Sequence, residues 1–289
     1  MAELTLTLAE IDPDDRYSFT FPHLPERYAD CEDKFPGLPL LVIDGERRVI
    51  CGHDFLLLWR QRGRARVRAL EVDLGPAEAL LLNYNVLDRL FGLNLCEKLL
   101  FLKKILPLCP MENIRRRIEL NFTLDDRLRK NLELLLAEPF RTCLAAGRLG
   151  LKAALKAAAM PEKVRVQAIG LLRACQFSES QQWLLVQWLE EIAFREKKAL
   201  GPLLAAAGLD LLLEKEMPQK KILDILRGVR YPGLVLGERE WDRWQKKMAT
   251  ASVSFAHAPF FAREEVQVTL TLKNRAQAEK LLANLKKIV

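Results

Sequence analysis

The chain has 289 residues, half of them hydrophobic and 29% charged, with 45 Lys and Arg against 38 Asp and Glu for a formal net charge of +7. That length allows two or three domains with real cores. No apolar run approaches the ~20 residues that cross a bilayer, and the opening MAELTLTLAEIDPDD has no secretory pattern, so the expectation is a soluble cytoplasmic protein with no membrane partner.

The charge is uneven. Residues 1–40 hold nine acids and three bases, a net of −6, which leaves +13 for the remainder. A basic body points to an anionic partner, of which nucleic acid is the commonest. The six cysteines, Cys31, Cys51, Cys96, Cys109, Cys143 and Cys175, form no C-x-x-C pair, and the three histidines are far apart. Free buried thiols in a reducing compartment and no metal site are expected.

In chain order, residues 1–36 read as acidic extended chain with turns. LPLLVID is a buried strand, Asp44-Gly45 a hairpin turn and RRVIC the returning strand. HDFLLLWRQRG is a short helix ending at Gly63, RVRALEVDL an alternating strand, and GPAEALLLNYNVLDRL a helix opened by Pro76. From NLCEKLLFLKKILPL, where Leu99, Leu100, Leu102 and Leu106 recur at helical spacing, the pattern becomes helical. MENIRRRIELN and FTLDDRLRKNLELLLAE form two helices around a turn at Asn121-Phe122, with Thr123 and Asp126 spaced like a capping box. Helical segments continue to about residue 230, where YPGL breaks the chain.

The tail changes class again. ASVSFAHAPF and EEVQVTLTLK read as strands, the second with Val266, Val268, Leu270 and Leu272 on one side, and NRAQAEKLLANLKKIV as an amphipathic helix. Such a unit is too small to stand alone, so it packs on the body or on a second copy. The expected class is α+β: a small mixed α/β region over 1–97, an all-helical region over 98–235 and a β–β–α unit over 236–289.

This order resembles the ParB family of chromosome and plasmid partition proteins, with a ParB/sulfiredoxin-like N-terminal domain. LPLLVIDGERRVICGHDFLLLWRQRGRARVRALEVD is similar to the family's strand–turn–strand–Gly box–helix–Gly–strand core. ALLLNYNVLDRLFGLNLCEKLLFLKKI is similar to the stretch holding an Asn-x-x-Arg-like box, Leu-Asn-Pro and a Glu at the start of a long helix. Here these are Asn85, Arg89, Leu93-Asn94 and Glu97. The helices from about 98 to 195 resemble the family's helix-turn-helix domain, with LLAEPFRTCLAAGRLGLKAALKAAAM similar to the segment after its recognition helix. The tail resembles its C-terminal dimerisation domain.

The resemblance implies DNA as a partner, a homodimer through residues 250–289, a ParA-type ATPase as a protein partner, and a nucleoid-associated role in partition, nucleoid organisation or regulation. It also implies a site for CTP with Mg2+ in a Gly-Glu-Arg-Arg box between the second strand and the next helix. Here the chain departs. Gly45-Glu46-Arg47-Arg48 falls in the hairpin turn, and the box position reads Gly52-His53-Asp54-Phe55. A carboxylate facing a triphosphate is unfavourable, so an altered or lost nucleotide site is expected. Gly52 is then either a turn residue or a phosphate-binding backbone, and His53 either a phosphate donor or a helix-start residue. Asn85 and Arg89 either complete a polar pocket, to which the resemblance adds Glu97, or form an exposed i,i+4 pair.

For DNA the candidates are Arg115, Arg116 and Arg117 toward phosphates, and Arg127, Arg129, Lys130 and Asn131 toward base edges or phosphates. Residues 103–152 carry eleven bases and six acids, which suits a backbone footprint. Asp125 and Asp126 stand where groove contacts are normally made, unless they cap the helix. A solvated bundle with no DNA role is the competing reading.

A second basic run, Arg60, Arg62, Arg64, Arg66 and Arg68, either touches DNA or blunts a strand edge. Trp183 and Trp188 are expected in the core, and Trp241 and Trp244 are placed to pack the tail on the body.

Two further classes stay open. One is an enzyme of the N-terminal fold, a CTP hydrolase or nuclease, for which Asp54, Glu78, Asp88 and Glu97 lack diagnostic spacing. Sulfiredoxin chemistry would need a Cys inside the Gly box, and Cys51 precedes it. The other is an interaction scaffold that has lost both ligands. No catalytic residue is assigned.

Overall fold

The computed structural model describes residues 2–12, 14–21, 41–196, 201–202, 219–248, 253–261 and 265–279. His23, Cys31 and most of the final helix expected over 274–289 lie outside the described residues. The fold is α+β: a small mixed sheet with helices, a run of helices, and a β-hairpin.

The chain opens on a strand that the reading of residues 1–36 as extended turns does not contain. In β1 (Ala2–Thr7), Leu4 and Leu6 alternate with Glu3, Thr5 and Thr7. It pairs antiparallel with β4 (Arg66–Glu71), Leu6 opposite Val67 and Leu4 opposite Ala69. β2 (Leu41–Ile43) pairs parallel with β4 and antiparallel with β3 (Val49–Cys51), giving the order β1-β4-β2-β3. β4 is therefore an interior strand, which corrects the reading of its arginines as edge protection. Leu6, Leu41, Ile43, Val67 and Ala69 are buried on one face.

The β2–β3 turn is built by Asp44. Its carboxylate accepts the amide N–H of Glu46 at 2.9 Å and of Arg48 at 3.0 Å, and the Arg48 Nε–H at 2.7 Å. Arg48 also meets Glu46, and Arg47, at φ 63, meets Glu10 at 3.0 Å. The Gly45–Arg48 box is thus engaged within its own hairpin and with the chain start.

Helices follow: α1 (His53–Gln61), α2 (Pro76–Phe91, with Pro76 in its first turn), α3 (Leu95–Ile105), α4 (Met111–Arg117), α5 (Asp126–Leu136), α6 (Phe140–Ala145), α7 (Leu151–Ala158), α8 (Glu162–Ala174), α9 (Glu179–Glu196), α10 (Gln219–Arg230) and α11 (Pro232–Met248). One buried cluster runs from Leu6 through to Leu226, so sheet and helices share a core. Phe101 lies at its centre, with Tyr84 at 4.5 Å and Phe19 at 5.4 Å between ring centroids.

YPGL breaks the chain at a single residue, Tyr231, and helix resumes at once. Pro232 lacks an N–H but opens α11, where that donor would have no partner in the helix. Arg195 donates to the carbonyls of Val229 at 2.7 Å and Arg230 at 2.5 Å, fixing this corner.

β5 (Val253–His257) and β6 (Val266–Leu270) form an antiparallel hairpin on α11. Trp244 packs on Phe255 at 4.8 Å and Trp241 on His257 at 4.9 Å, the contact expected of the tryptophan pair. Trp188 packs against the core. Trp183 departs from its expected burial: it is half-buried, with Lys152 Nζ 4.7 Å and Lys156 Nζ 5.2 Å from its ring. Among the described residues, no helix is long and apolar enough to cross a membrane.

Candidate functional site: the Gly52 turn and the basic helix face

Gly52 sits at φ 91, ψ 21 between β3 and α1. A side chain there meets its own carbonyl, at a cost of roughly 1–2 kcal/mol, so the turn itself demands glycine. His53 opens α1. Asp54, in the same first turn, is only 3% exposed, and a carboxylate at a helix start is favoured by the helix dipole.

The space around this turn is small. Ser18, Thr20, Gly52, His53, Asp54, Asn83 and Leu87 enclose about 10 Å³, the room of about one water. A triphosphate is larger than that volume. The polar α2 side chain that lines the cavity is Asn83, beside Leu87. Its Nδ2 donates to the Tyr17 carbonyl at 2.8 Å, and its buried Oδ1 has no hydrogen-bond partner among the described residues.

Asn85, Arg89 and Glu97 do not line that cavity. Asn85 is half-buried and Arg89 exposed on α2. Glu97, fully buried, accepts the Asn94 N–H at 2.8 Å, while Asn94 Oδ1 accepts the Glu97 N–H at 2.9 Å, a reciprocal capping box on α3. The same two side chains grip Phe21: its N–H donates to Glu97 at 3.3 Å and its carbonyl accepts from Asn94 Nδ2 at 2.8 Å. Lys104 Nζ donates to the Asp15 carbonyl at 2.7 Å, and Arg141 lies 4.6 Å over the Phe21 ring. Residues 15–21 are therefore a strap across α2, α3 and α6.

The other carboxylates of this region are engaged separately. Glu78 meets Arg117 at 3.0 Å, which holds its pKa below the usual carboxylate range, and Asp88 lies 3.5 Å from Lys98. No group of three or more His, Cys, Asp or Glu is placed to hold a metal ion among the described residues. Cys51 is 2% exposed, and burial pushes its thiol up to about 12. The nucleophile is the thiolate, so this Cys is inert in the folded chain.

On the DNA side, α4 and α5 are separated by residues 118–125, longer than the three or four residues of a typical helix-turn-helix. The α5 cap is Asp125, whose side chain accepts the Leu128 N–H at 2.8 Å, so the expected Thr123–Asp126 box is replaced by this cap. Leu128, Leu132, Leu135 and Leu136 are buried, while Arg127, Arg129 and Lys130 face solvent. Not every arginine is available to a partner. Arg115 donates to the Leu124 carbonyl, Arg127 to the Leu155 carbonyl at 3.2 Å and Arg117 to Glu78. Asn131 is half-buried and donates to the Arg127 carbonyl at 2.9 Å. Among the described residues, the exposed cations of α4 and α5 with no such partner are Arg116, Arg129 and Lys130.

No protein-family model matches this chain, and no curated protein does. Among solved structures it is similar to a pNOB8-like ParB N-domain in its C2221 crystal form, at 19% identity and a TM-score of 0.34, covering 86% of this chain and 98% of that one. A second structure of the pNOB8-like ParB N-domain gives 21% identity and a TM-score of 0.33, covering 86% of this chain and 92% of that one.

Proposed function

We propose that this is a ParB-like DNA-binding protein of the partition or nucleoid-organisation kind, acting without a nucleotide at the Gly52 turn. The observation that carries the reading is α5, whose leucines are buried while Arg127, Arg129 and Lys130 lie on its exposed side, together with the exposed Arg116 of α4. Such a face gives sequence-independent phosphate contacts first. Self-association belongs to the same reading. Val266 and Val268 of β6 are 44% and 51% exposed, and a two-stranded hairpin with an apolar exposed strand is suited to a second copy. A ParA-type ATPase as protein partner rests on the family resemblance.

The test is binding of the full chain to generic duplex DNA across a salt series, with and without CTP and Mg2+. Several contacts give a log–log slope of about −0.9 per neutralised phosphate, unchanged by CTP. No binding at low salt removes the DNA reading; a CTP effect removes its nucleotide-independent part.

A second reading, an interaction scaffold, draws on the internal engagement of Arg115, Arg117 and Arg127. A chain that binds no DNA yet remains dimeric fits it.

A further inference from the structure

We propose that Arg60, Arg62, Arg64, Arg66 and Arg68, from the end of α1 through the following turn into β4, form a second binding surface for the phosphate backbone of duplex DNA. The inference rests on the DNA reading above but uses different elements of the fold.

All five arginines are exposed, as are Gln61, Gly63 and Ala65 between them. Among the described residues no carboxylate lies within ion-pair distance of Arg60, Arg62 or Arg66. Arg68 meets Glu3 at 3.4 Å, an exposed pair of the kind that contributes little. The guanidinium of Arg64 lies 5.4 Å from the Trp59 ring. Opposite Arg66 and Arg68 on β1 stand the uncharged Thr7 and Thr5.

Because β4 is interior, strand-edge protection does not account for the run. Its alternation does suit a charged backbone. On β4, Arg66 and Arg68 are i and i+2 of an extended strand, about 6.8 Å apart, which is two axial steps of a DNA strand at about 3.4 Å per phosphate, while Arg60 ends α1 and Arg62 and Arg64 lie in the turn between α1 and β4. Guanidinium forks also match phosphate oxygens bidentately. A lipid surface fits less well, since Gln61, Gly63 and Ala65 offer no bulky apolar group to insert.

The test compares the full chain with two variants on generic duplex DNA across a salt series. One variant is Arg60→Gln/Arg62→Gln/Arg66→Gln; the other is Arg129→Gln/Lys130→Gln on α5. The expected result is a slope shallower by about 2.7 in the triple variant, the share of three phosphates, with thermal unfolding unchanged.

A slope unchanged in the triple variant but reduced in the α5 variant overturns this inference and leaves the α5 reading intact. The reverse pattern supports the second surface and removes the α5 face. Loss of binding to phosphatidylserine vesicles in the triple variant, with duplex binding intact, also overturns the inference in favour of a membrane surface. A chain that binds no duplex at low salt overturns both.

Discussion

Glu97 and Phe21 are 76 positions apart, and the Glu97 carboxylate accepts the Phe21 amide N–H at 3.3 Å. With Asn94 holding the Phe21 carbonyl, these two side chains tie the chain start onto α3.

The Glu97→Ala variant leaves the Phe21 and Asn94 amides without their buried acceptor. Its unfolding free energy is expected to fall by about 2 kcal/mol, read from the urea midpoint. Asn94→Ala removes the cap at about 1 kcal/mol, and the double variant loses less than the two together because they share Phe21. An unchanged midpoint for Glu97→Ala would mean the strap is held elsewhere.

At φ 91, Gly52 is needed for the turn whatever binds there. Gly52→Ala is expected to cost roughly 1–2 kcal/mol. Stability as good as the parent's in calorimetry would argue against the left-handed turn.

The buried thiols set an alkaline limit. Burial raises both Cys51 and Cys96 to about 12 in the folded chain, against about 8.5 when unfolded. The unfolded state therefore binds fewer protons between these values, so stability is complete below about pH 8.5 and falls as pH rises. Each thiol contributes about 1.4 kcal/mol per pH unit over that window. A Cys51→Ala/Cys96→Ala variant should show a shallower alkaline decline in Tm; identical slopes would refute the assignment.

The arginines of α4 and α5 separate into two kinds. Arg115→Ala leaves the Leu124 carbonyl short of a donor and is expected to cost about 1 kcal/mol. Arg129→Ala/Lys130→Ala should leave stability within about 0.5 kcal/mol while flattening the DNA salt slope by about 1.8. Urea melts and fluorescence anisotropy on the same samples read both.

On the tail, Val268→Asp sets a charge in the exposed strand β6. In light scattering the dimer is expected to give way to monomer with the melting of the helical body unchanged. A monomeric parent would remove the self-association reading.

Local pattern made much of this architecture legible. Alternation marked β4 and β6, Pro76 the start of α2, and Asp44-Gly45 the β2–β3 turn. β1 escaped notice because AELTLT is short and its partner, β4, lies some sixty residues away. Only that pairing gives Leu4 and Leu6 something to bury against.

At the candidate pocket, Asn85 drew attention, yet Asn83 lines the cavity. Asn83 shares a helical face with Leu80 and Leu87, at i−3 and i+4, both buried. Asn85 lies about 200° further round. A polar residue in phase with buried leucines was the signal available. Which arginines of α4 and α5 turn inward depends on carbonyls exposed at neighbouring helix ends, and spacing carries no trace of that.

The single-residue corner at Tyr231 makes α11 a lever. Seventeen residues at 1.5 Å each give an arm of about 25 Å, so a 10° rotation at Tyr231 would swing the hairpin by roughly 4 Å. Arg195, clamped on the carbonyls of Val229 and Arg230, holds the end of α10 on which that lever turns. In a pair joined at the hairpins, one side chain on α9 would thus set how far apart the two bodies, and any DNA each carries, are held.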